Sequence, residues 1–187
     1  MISIGERISI INIFPKSTKL NKKVCSDEVI GLITIKNGSS IFVKRSDYSS
    51  VFLKPKDFTE YYKSDNMNFD FICIILESPH KDEYNIINDL KSYDGESMVY
   101  RLANGITGRN IEEYINKVIT NETDIEDGIY GLLIMNAIQY QCSQGINTKF
   151  YRDRFWIYYW LHCGKKYFIE RLRKYSPKYI LNCVTLG

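Results

Sequence analysis

The residues best suited to chemistry stand together directly after the most apolar stretch of the chain. The run FICIIL at residues 71–76 is followed by Glu77, Ser78, Pro79 and His80. A carboxylate can orient or activate water, a hydroxyl can hold a water molecule, and histidine titrates near neutral pH. Glu77, Ser78 and His80 are therefore the candidate catalytic residues. The structural alternatives are a cap for Glu77, a turn for Ser78 and a solvated loop for His80.

A second candidate is Asn136, which lies near the end of the apolar segment at residues 129–138. Its amide presents a donor and an acceptor side by side, which matches the imide edge of uracil or of another base. Proteins that flip a base out of a duplex normally recognise it along that edge. The competing hypothesis is an asparagine that fixes the conformation of its own loop.

The surrounding pattern predicts the elements that position these side chains. Continuous apolar runs at 71–76 and 129–138 are typical of strands buried on both faces, and a third such strand is expected at 179–184. Apolar spacing predicts a helix over 109–118, and residues 152–175 form a long aromatic-rich helical region, interrupted near Gly164. This alternation predicts an α/β fold with three layers, α/β/α, around a parallel central sheet.

Residues 1–58 have a different, β-rich pattern. Val29 to Ile35 and Ile41 to Lys44 flank Asn37-Gly38, the preferred sequence of a type I′ hairpin turn. We interpret residues 1–58 as a small antiparallel unit and residues 59–187 as the main domain. Edge strands of a single mixed sheet are the alternative for the N-terminal part.

Composition limits the classes of function. The chain has 187 residues, 44% of them hydrophobic, and a formal net charge of +3, so no strong overall field attracts nucleic acid. Its five cysteines have no CxxC or CxH spacing, which favours reduced thiols and argues against a zinc or iron–sulfur site. We therefore expect no metal and no cofactor. Without a signal peptide or a run of about 20 apolar residues, a cytoplasmic protein that does not span a membrane is expected.

A glycine pair precedes the predicted helix at 109–118. Gly105 and Gly108 mark a turn, followed directly by Arg109. The first amides of a helix favour an anion such as phosphate. Gly105, Gly108 and Arg109 are therefore the candidate phosphate-binding residues.

The order of these motifs resembles the uracil-DNA glycosylase superfamily over roughly residues 69 to 187. In its iron–sulfur branch a strand ends in Gly-Glu-Ala-Pro-Gly with a downstream glutamate, and here LESPH at 76–80 is followed by Glu83. That branch next has Gly-x-x-Gly before a helix, which GITG at 105–108 matches. It then has a strand ending in asparagine, which LLIMN at 132–136 matches. A Pro-Lys-(apolar)-Leu-Gly strand is similar to residues 177–187.

The resemblance also defines where this chain departs from the family. Ser78 stands where the best-known branch has an aspartate that positions or activates water. The aromatic residue that stacks on the base would fall near Ala103, and Tyr100 is the nearest candidate for that role. The cysteine ligands of the iron–sulfur cluster are missing. The family's His-Pro-Ser loop would follow Leu186-Gly187, where this sequence ends, so the expectation is a truncated domain or a loss of that loop.

The resemblance implies a divergent glycosylase-like protein that binds a nucleobase or flipped nucleotide and hydrolyses its N-glycosidic bond. Asn136, Pro79 and Tyr100 would bind the base, and DNA or a nucleotide is the expected partner. The alternative hypothesis is a module on the same fold that binds a nucleotide, nucleic acid or protein partner without catalysis. An interaction domain formed by the β-rich N-terminal part is a third possibility.

Overall fold

The computed structural model describes residues 24–45, 51–58, 60, 69–84, 91–92, 101–122, 124–142 and 155–184. The strands within these ranges are β1 Glu28–Lys36, β2 Ser39–Lys44, β3 Val51–Phe52, β4 Asp70–Leu76, β5 Lys91–Ser92, β6 Gly128–Asn136 and β7 Tyr179–Asn182. Short 3₁₀ turns lie at Pro55–Asp57 and Lys81–Tyr84.

The long helix that begins directly after Gly105 and contains Gly108 is α1, Ile106–Glu122, which extends the predicted helix at both ends. The aromatic-rich region forms α2, Ile157–Tyr159, and α3, Lys165–Tyr175. A π-helical segment, Trp160–Gly164, joins them, so the interruption predicted near Gly164 is a change of helical geometry and not a break in the chain direction. Among the helices of the described ranges, none combines the length and the apolar character needed to cross a bilayer.

The main sheet has five strands in the order β2-β1-β6-β4-β7. Strand β4 lies parallel between β6 and β7, with Leu76 opposite Asn136 and Ile75 opposite Asn182. Strand β1 pairs antiparallel with both β2 and β6. The α/β class and the three neighbouring parallel strands are confirmed. The prediction of a parallel sheet needs correction, because the β1–β2 hairpin extends the sheet beside β6 and makes it mixed.

The N-terminal hairpin has the turn that its sequence predicts. Asn37 and Gly38 have φ values of 51° and 71°, as a type I′ turn requires. The backbone N–H of Asn37 donates to both carboxylate oxygens of Asp127, each at 3.0 Å. Of the two alternatives for these strands, the sheet order agrees with edge strands of one mixed sheet. The predicted strands before residue 24 lie outside the described residues.

Alternate residues of the central strands enter two apolar clusters, as the two-residue period of a strand requires. The first cluster includes Ile72, Ile74, Leu132 and Ile134 from the strands with Ile115 and Ile119 from α1. The second includes Cys73, Ile75, Leu133 and Met135 with Phe168 and Leu172 from α3. Each cluster therefore stabilises the sheet against a different helix, and both clusters reach the carboxyl ends of β4 and β6.

The start of α1 depends on a close approach of two backbone segments. Gly108 is buried, and a Cβ atom at this position would overlap the backbone carbonyl of Ala103. Ala103 itself has a left-handed backbone with φ of 51°, so the chain turns sharply just before the helix. Gly105, three residues earlier, has open space where its Cβ would be. The second glycine of the pair is therefore required by packing, whereas the first is not.

We expect Gly108→Ala to destabilise the fold by about 1–3 kcal/mol, because the added methyl group forces the Ala103 segment away from α1. Gly105→Ala is the matched control, with an expected change of no more than about 0.5 kcal/mol. Urea denaturation followed by circular dichroism measures both values. Equal effects of the two substitutions would show that the close packing at Gly108 does not limit stability.

Candidate functional site

The loops that follow β4 and β6 start side by side. The backbone N–H of Ala137 donates to the carbonyl of Leu76 at 2.8 Å, and that of Ile138 donates to the carbonyl of Glu77 at 3.1 Å. The polar residues after both strands are thus brought to one edge of the sheet, where α/β proteins usually bind ligands. Glu77 itself is half-buried, and its charge contributes, after burial, to a raised pKa of the Cys142 thiol.

Asn136 is the most unusual polar residue at this edge. Its side chain is fully buried, and neither its amide oxygen nor its amide nitrogen has an aligned hydrogen-bond partner among the described residues. The amide lies close enough to Glu83 to lower the pKa of that carboxyl, but the two groups are not aligned as a hydrogen bond. An unpaired buried polar group costs about 1–3 kcal/mol. A buried polar group without an aligned partner requires an explanation, and a functional partner is one.

Glu83, from the 3₁₀ turn at Lys81–Tyr84, is the carboxyl group beside this amide. It is only 5% exposed, and burial raises its pKa to about 7. Backbone N–H groups of Ala103 and His80 oppose this rise, followed by Asn136 and the Cys25 thiol, whose sulfur lies 3.9 Å from Oε2 of Glu83. A carboxyl with a pKa near 7 can donate or accept a proton at neutral pH.

The remaining candidate residues after β4 lie around this turn. The backbone N–H of Asp82 donates to Nδ1 of His80 at 3.2 Å, and the Asp82 carboxylate lies 3.1 Å from the same nitrogen. The Ser78 hydroxyl is buried without an aligned partner within the described part of the chain, and Pro79 is buried. His80 thus has a local partner. The Ser78 hydroxyl, like the Asn136 amide, could form a hydrogen bond to a ligand. Tyr100 lies outside the described residues.

The candidate phosphate-binding residues form the first turn of α1. The backbone N–H of Arg109 donates to the carbonyl of Gly105 at 3.2 Å, which closes the first helical turn. The Arg109 side chain is exposed, and Gly108 packs against Ala103. The structure therefore gives Gly108 a packing role and leaves Arg109 accessible to an anion.

An ion pair between Asp27 and Arg171 of α3 lies at the same edge of the sheet. The Arg171 guanidinium pairs through Nη1 with the Asp27 carboxylate, and through Nη2 it donates to the backbone carbonyls of Asn136 at 2.7 Å and Ala137 at 3.2 Å. Nε2 of Gln139 donates to the same Asp27 oxygen at 3.3 Å. Burial raises the pKa of Asp27, and Arg171 is the strongest opposing influence. This ion pair joins the start of β1, the end of β6 and α3.

A cavity of about 380 Å³ adjoins this ion pair, and its lining includes Asp27, Gln139, Tyr159, Arg171 and Lys174. Neither Asp27 nor Arg171 is among the candidate residues that the sequence predicts for the site. Two consecutive acids, Asp27 and Glu28, directly precede the predicted strand that starts at Val29. Acids beside a buried strand indicate that one of them needs a cationic partner, such as Arg171.

Glu28, the second of these acids, forms another buried ion pair. Its carboxylate lies 2.8 Å from Nη2 of Arg101, and both side chains are almost completely buried. Burial raises the pKa of Glu28 to about 7 against the opposing charges of Arg101 and Arg45. Cys25 lies near these groups, and burial, followed by the charges of Glu83, Glu28 and Asp27, raises the pKa of its thiol. The thiol therefore stays protonated and is a poor nucleophile.

No protein-family model, curated protein or solved structure matches this chain. The resemblance of its motifs to the uracil-DNA glycosylase superfamily therefore remains a prediction from the sequence. The chemistry of the site is inferred from the contacts, burial and charges of its own residues.

The raised pKa of Glu83 predicts a specific pH dependence of stability. Because the folded state binds this proton more tightly than the unfolded chain, its stabilising effect is complete below the ordinary pKa of 4.5 and is lost as the pH rises through about 7. Glu83→Gln stays neutral throughout. We expect its free energy of unfolding, relative to the unsubstituted chain, to increase by roughly 1–3 kcal/mol between about pH 5 and pH 8.

Urea denaturation at several pH values measures this difference. Glu113→Gln, at an exposed position of α1, controls for the loss of one surface carboxylate. If the difference between Glu83→Gln and the unsubstituted chain does not change with pH, Glu83 does not titrate near neutrality.

Proposed function

We propose that this chain binds a nucleobase at the carboxyl edge of β4 and β6, as a divergent glycosylase-like protein, and that Asn136 recognises the base. The observation that carries the proposal is the buried amide of Asn136, which lacks an aligned partner for both its donor and its acceptor within the described residues. A base with a neighbouring N–H and carbonyl would satisfy both at once. Uracil and hypoxanthine have this pattern.

The burial of the amide is an advantage for recognition. A base that pairs with Asn136 is protected from competing water, and a base with the opposite polarity leaves buried groups unpaired, which costs about 1–3 kcal/mol for each. The same burial has a kinetic consequence. Because the amide is enclosed in the free chain, a ligand reaches it only after the covering side chains have moved.

Glu83 gives the site a carboxyl group that can be either protonated or ionised near neutral pH. With a pKa near 7, its carboxyl accepts a hydrogen bond when ionised and donates one when protonated. It lies next to the Asn136 amide and so is suited to interact with the same ligand. In the protonated form it would stabilise negative charge that develops on a departing base.

Hydrolysis of the N-glycosidic bond is the reaction that the resemblance implies. The electron pair of the C–N bond passes to the base, and the transition state carries positive charge on the sugar. Water adds to the sugar carbon, and the proton that the water loses neutralises the departing base. In this proposal Glu77 and Ser78 orient the water, and Asn136 holds the leaving base. His80, after the same strand, is the candidate for proton transfer. The Ser78 hydroxyl suits a water-binding role because it is buried without an aligned partner in the described part of the chain.

The wider architecture that we infer is the three-layer α/β/α arrangement, supported by the two apolar clusters that contain α1 and α3. In that arrangement the first turn of α1, with Gly105 and Arg109, would bind a phosphate of the nucleic acid or nucleotide. DNA or a nucleotide is thus the proposed partner. Recognition without hydrolysis is the second candidate function, because Ser78 cannot act as a base at neutral pH in the way that a carboxylate can.

The two functions are separated by one experiment. The purified chain is incubated with single- and double-stranded oligonucleotides that contain one uracil or one hypoxanthine, and abasic product and binding are both measured. Abasic product identifies an enzyme, and binding without product identifies a recognition module. The absence of both abasic product and preferential binding over an oligonucleotide with cytosine or adenine at the same position would contradict the proposal.

Asn136→Asp tests the role of the amide directly. The substitution keeps the shape but replaces the donor with an acceptor, so we expect affinity or turnover to fall at least about tenfold, since about 1.4 kcal/mol corresponds to one decade. Asn182→Asp, at the exposed end of β7, is the matched control and should leave binding within about twofold.

Melting temperatures of both variants complete the test. If Asn136 only fixes its own loop, Asn136→Asp lowers the melting temperature while ligand preference stays unchanged. That result would rule out recognition of the base by this side chain.

A further inference from the structure

The cavity between α3 and the carboxyl edge of β6 has the properties of a second ligand site. Its volume of about 380 Å³ lies within the usual range of small-molecule pockets. Its lining includes Ala137, the first residue after β6, together with Arg171 and Lys174 of α3, whereas the side chain of Asn136 interacts with Glu83. Met135 of β6 packs in the cluster that contains Phe168 and Leu172 of α3, so the next side chain of the strand, that of Asn136, points to the opposite face. The cavity and the Asn136 amide are therefore separate sites.

Polar atoms beside this cavity have unused hydrogen-bonding capacity. In the described part of the molecule, Oδ2 of Asp27 and Nε of Arg171 are buried without an aligned partner. The Tyr175 hydroxyl interacts with the Asp27 carboxylate, but it is not aligned with Oδ2 as a hydrogen bond. Asp27 is 2% exposed and is held in place by Arg171 and Gln139. A fixed, buried carboxylate oxygen favours a ligand that donates a hydrogen bond.

The other lining groups favour an aromatic ring and an anion. Three tyrosines, Tyr159, Tyr167 and Tyr175, contribute flat apolar surface to the walls. Lys54, Lys174 and Glu170 also line the cavity. Because Arg171 compensates Asp27, the two lysines outnumber the one remaining acid, and the local charge is positive. Lys174 is exposed, so its ammonium group is available at the surface of the cavity.

We propose that this cavity binds a nucleoside monophosphate whose base has an exocyclic amine. The amine donates to the Asp27 carboxylate, the base packs against the tyrosines, and the phosphate interacts with Lys174 and Lys54. A carboxylate is the group that accepts from the N4 amine of cytosine in nucleic-acid recognition. Uracil has a carbonyl oxygen at the same position, which a carboxylate repels. The cavity should therefore distinguish CMP from UMP, two ligands of nearly equal size.

Isothermal titration calorimetry on the whole chain tests the proposal with CMP, UMP, cytidine and inorganic phosphate. We expect CMP to bind at least about tenfold more tightly than each of the other three, because only CMP offers the amine, the ring and the phosphate together. Equal affinities for CMP and UMP would overturn the role of Asp27. Equal affinities for CMP and phosphate would identify a simple anion site, and no binding of CMP would overturn the site altogether.

Two neighbouring substitutions on α3 assign the binding to this cavity. Lys174→Ala removes a lining cation and should weaken CMP binding at least about fivefold. Arg173→Ala removes one positive charge from the next position, which is exposed and does not line the cavity, and should change affinity by less than about twofold. Circular dichroism checks that both variants are folded. Equal effects of the two would show a non-specific charge effect and would overturn the assignment.

The site is tested independently of the proposed base recognition by Asn136. Asn136→Asp should leave CMP affinity within about twofold, since it keeps the backbone carbonyl that Arg171 binds. Loss of CMP binding in Asn136→Asp but not in Lys174→Ala would instead place the nucleotide at the first site and contradict the second.

Discussion

The guanidinium of Arg171 connects three segments that are far apart in sequence. It pairs with Asp27, which precedes β1, and it donates to the backbone carbonyls of Asn136 and Ala137 at the end of β6. The carboxyl edge of the sheet depends on this interaction, because the two carbonyls lie where β6 ends and where the regular pairing of the strand changes into a loop. Removal of either charged partner would leave the other buried and unpaired, which typically costs about 3–5 kcal/mol.

This anchor explains why polar side chains can remain unsatisfied at the same edge. The backbone of residues 136–137 is fixed by Arg171 on the side of α3 and by the hydrogen bond from Ala137 to β4. The Asn136 amide is therefore not needed to fix its own backbone, and it stays available without an aligned partner among the described residues. The ion pair and the two apolar clusters offset the energetic cost of the buried Asn136 amide. A fixed backbone behind an unused amide suits recognition of a small planar ligand once the covering side chains have moved.

Much of the fold is predictable from local pattern. The buried runs identify β4 and β6, Asn37-Gly38 identifies the hairpin turn, and the spacing of Ile111, Ile115 and Val118 identifies α1. The mixed character of the sheet was only one of two alternatives, because nothing in the sequence of β1 specifies which strand it joins. Strand partners are decided by long-range packing, which local periodicity does not record.

The site was predictable to a smaller extent, for a related reason. Asn136 follows a recognisable strand signal, so sequence reasoning selects it, whereas Glu83 entered only as the downstream glutamate of the family resemblance. The pairing of Asp27 with Arg171 spans 144 residues and exists only because β1 lies beside β6 and α3 covers that end of the sheet. Similarly, the sequence does not reveal the packing of Gly108 against Ala103, which the structure shows beside its predicted role in phosphate binding. Contacts of this kind follow from topology and not from residue type.

The most direct test of base recognition is an NMR titration of the Asn136 side-chain amide. Its ¹⁵NH₂ signals are assigned by their absence in Asn136→Asp, and a single-stranded oligonucleotide with one uracil is then added. We expect the amide proton that donates to the base carbonyl to shift downfield, with a smaller change for an oligonucleotide that has cytosine, a base of the opposite polarity, at the same position. Unchanged Asn136 signals, while other residues respond to the added uracil, would contradict the recognition of the base by this amide.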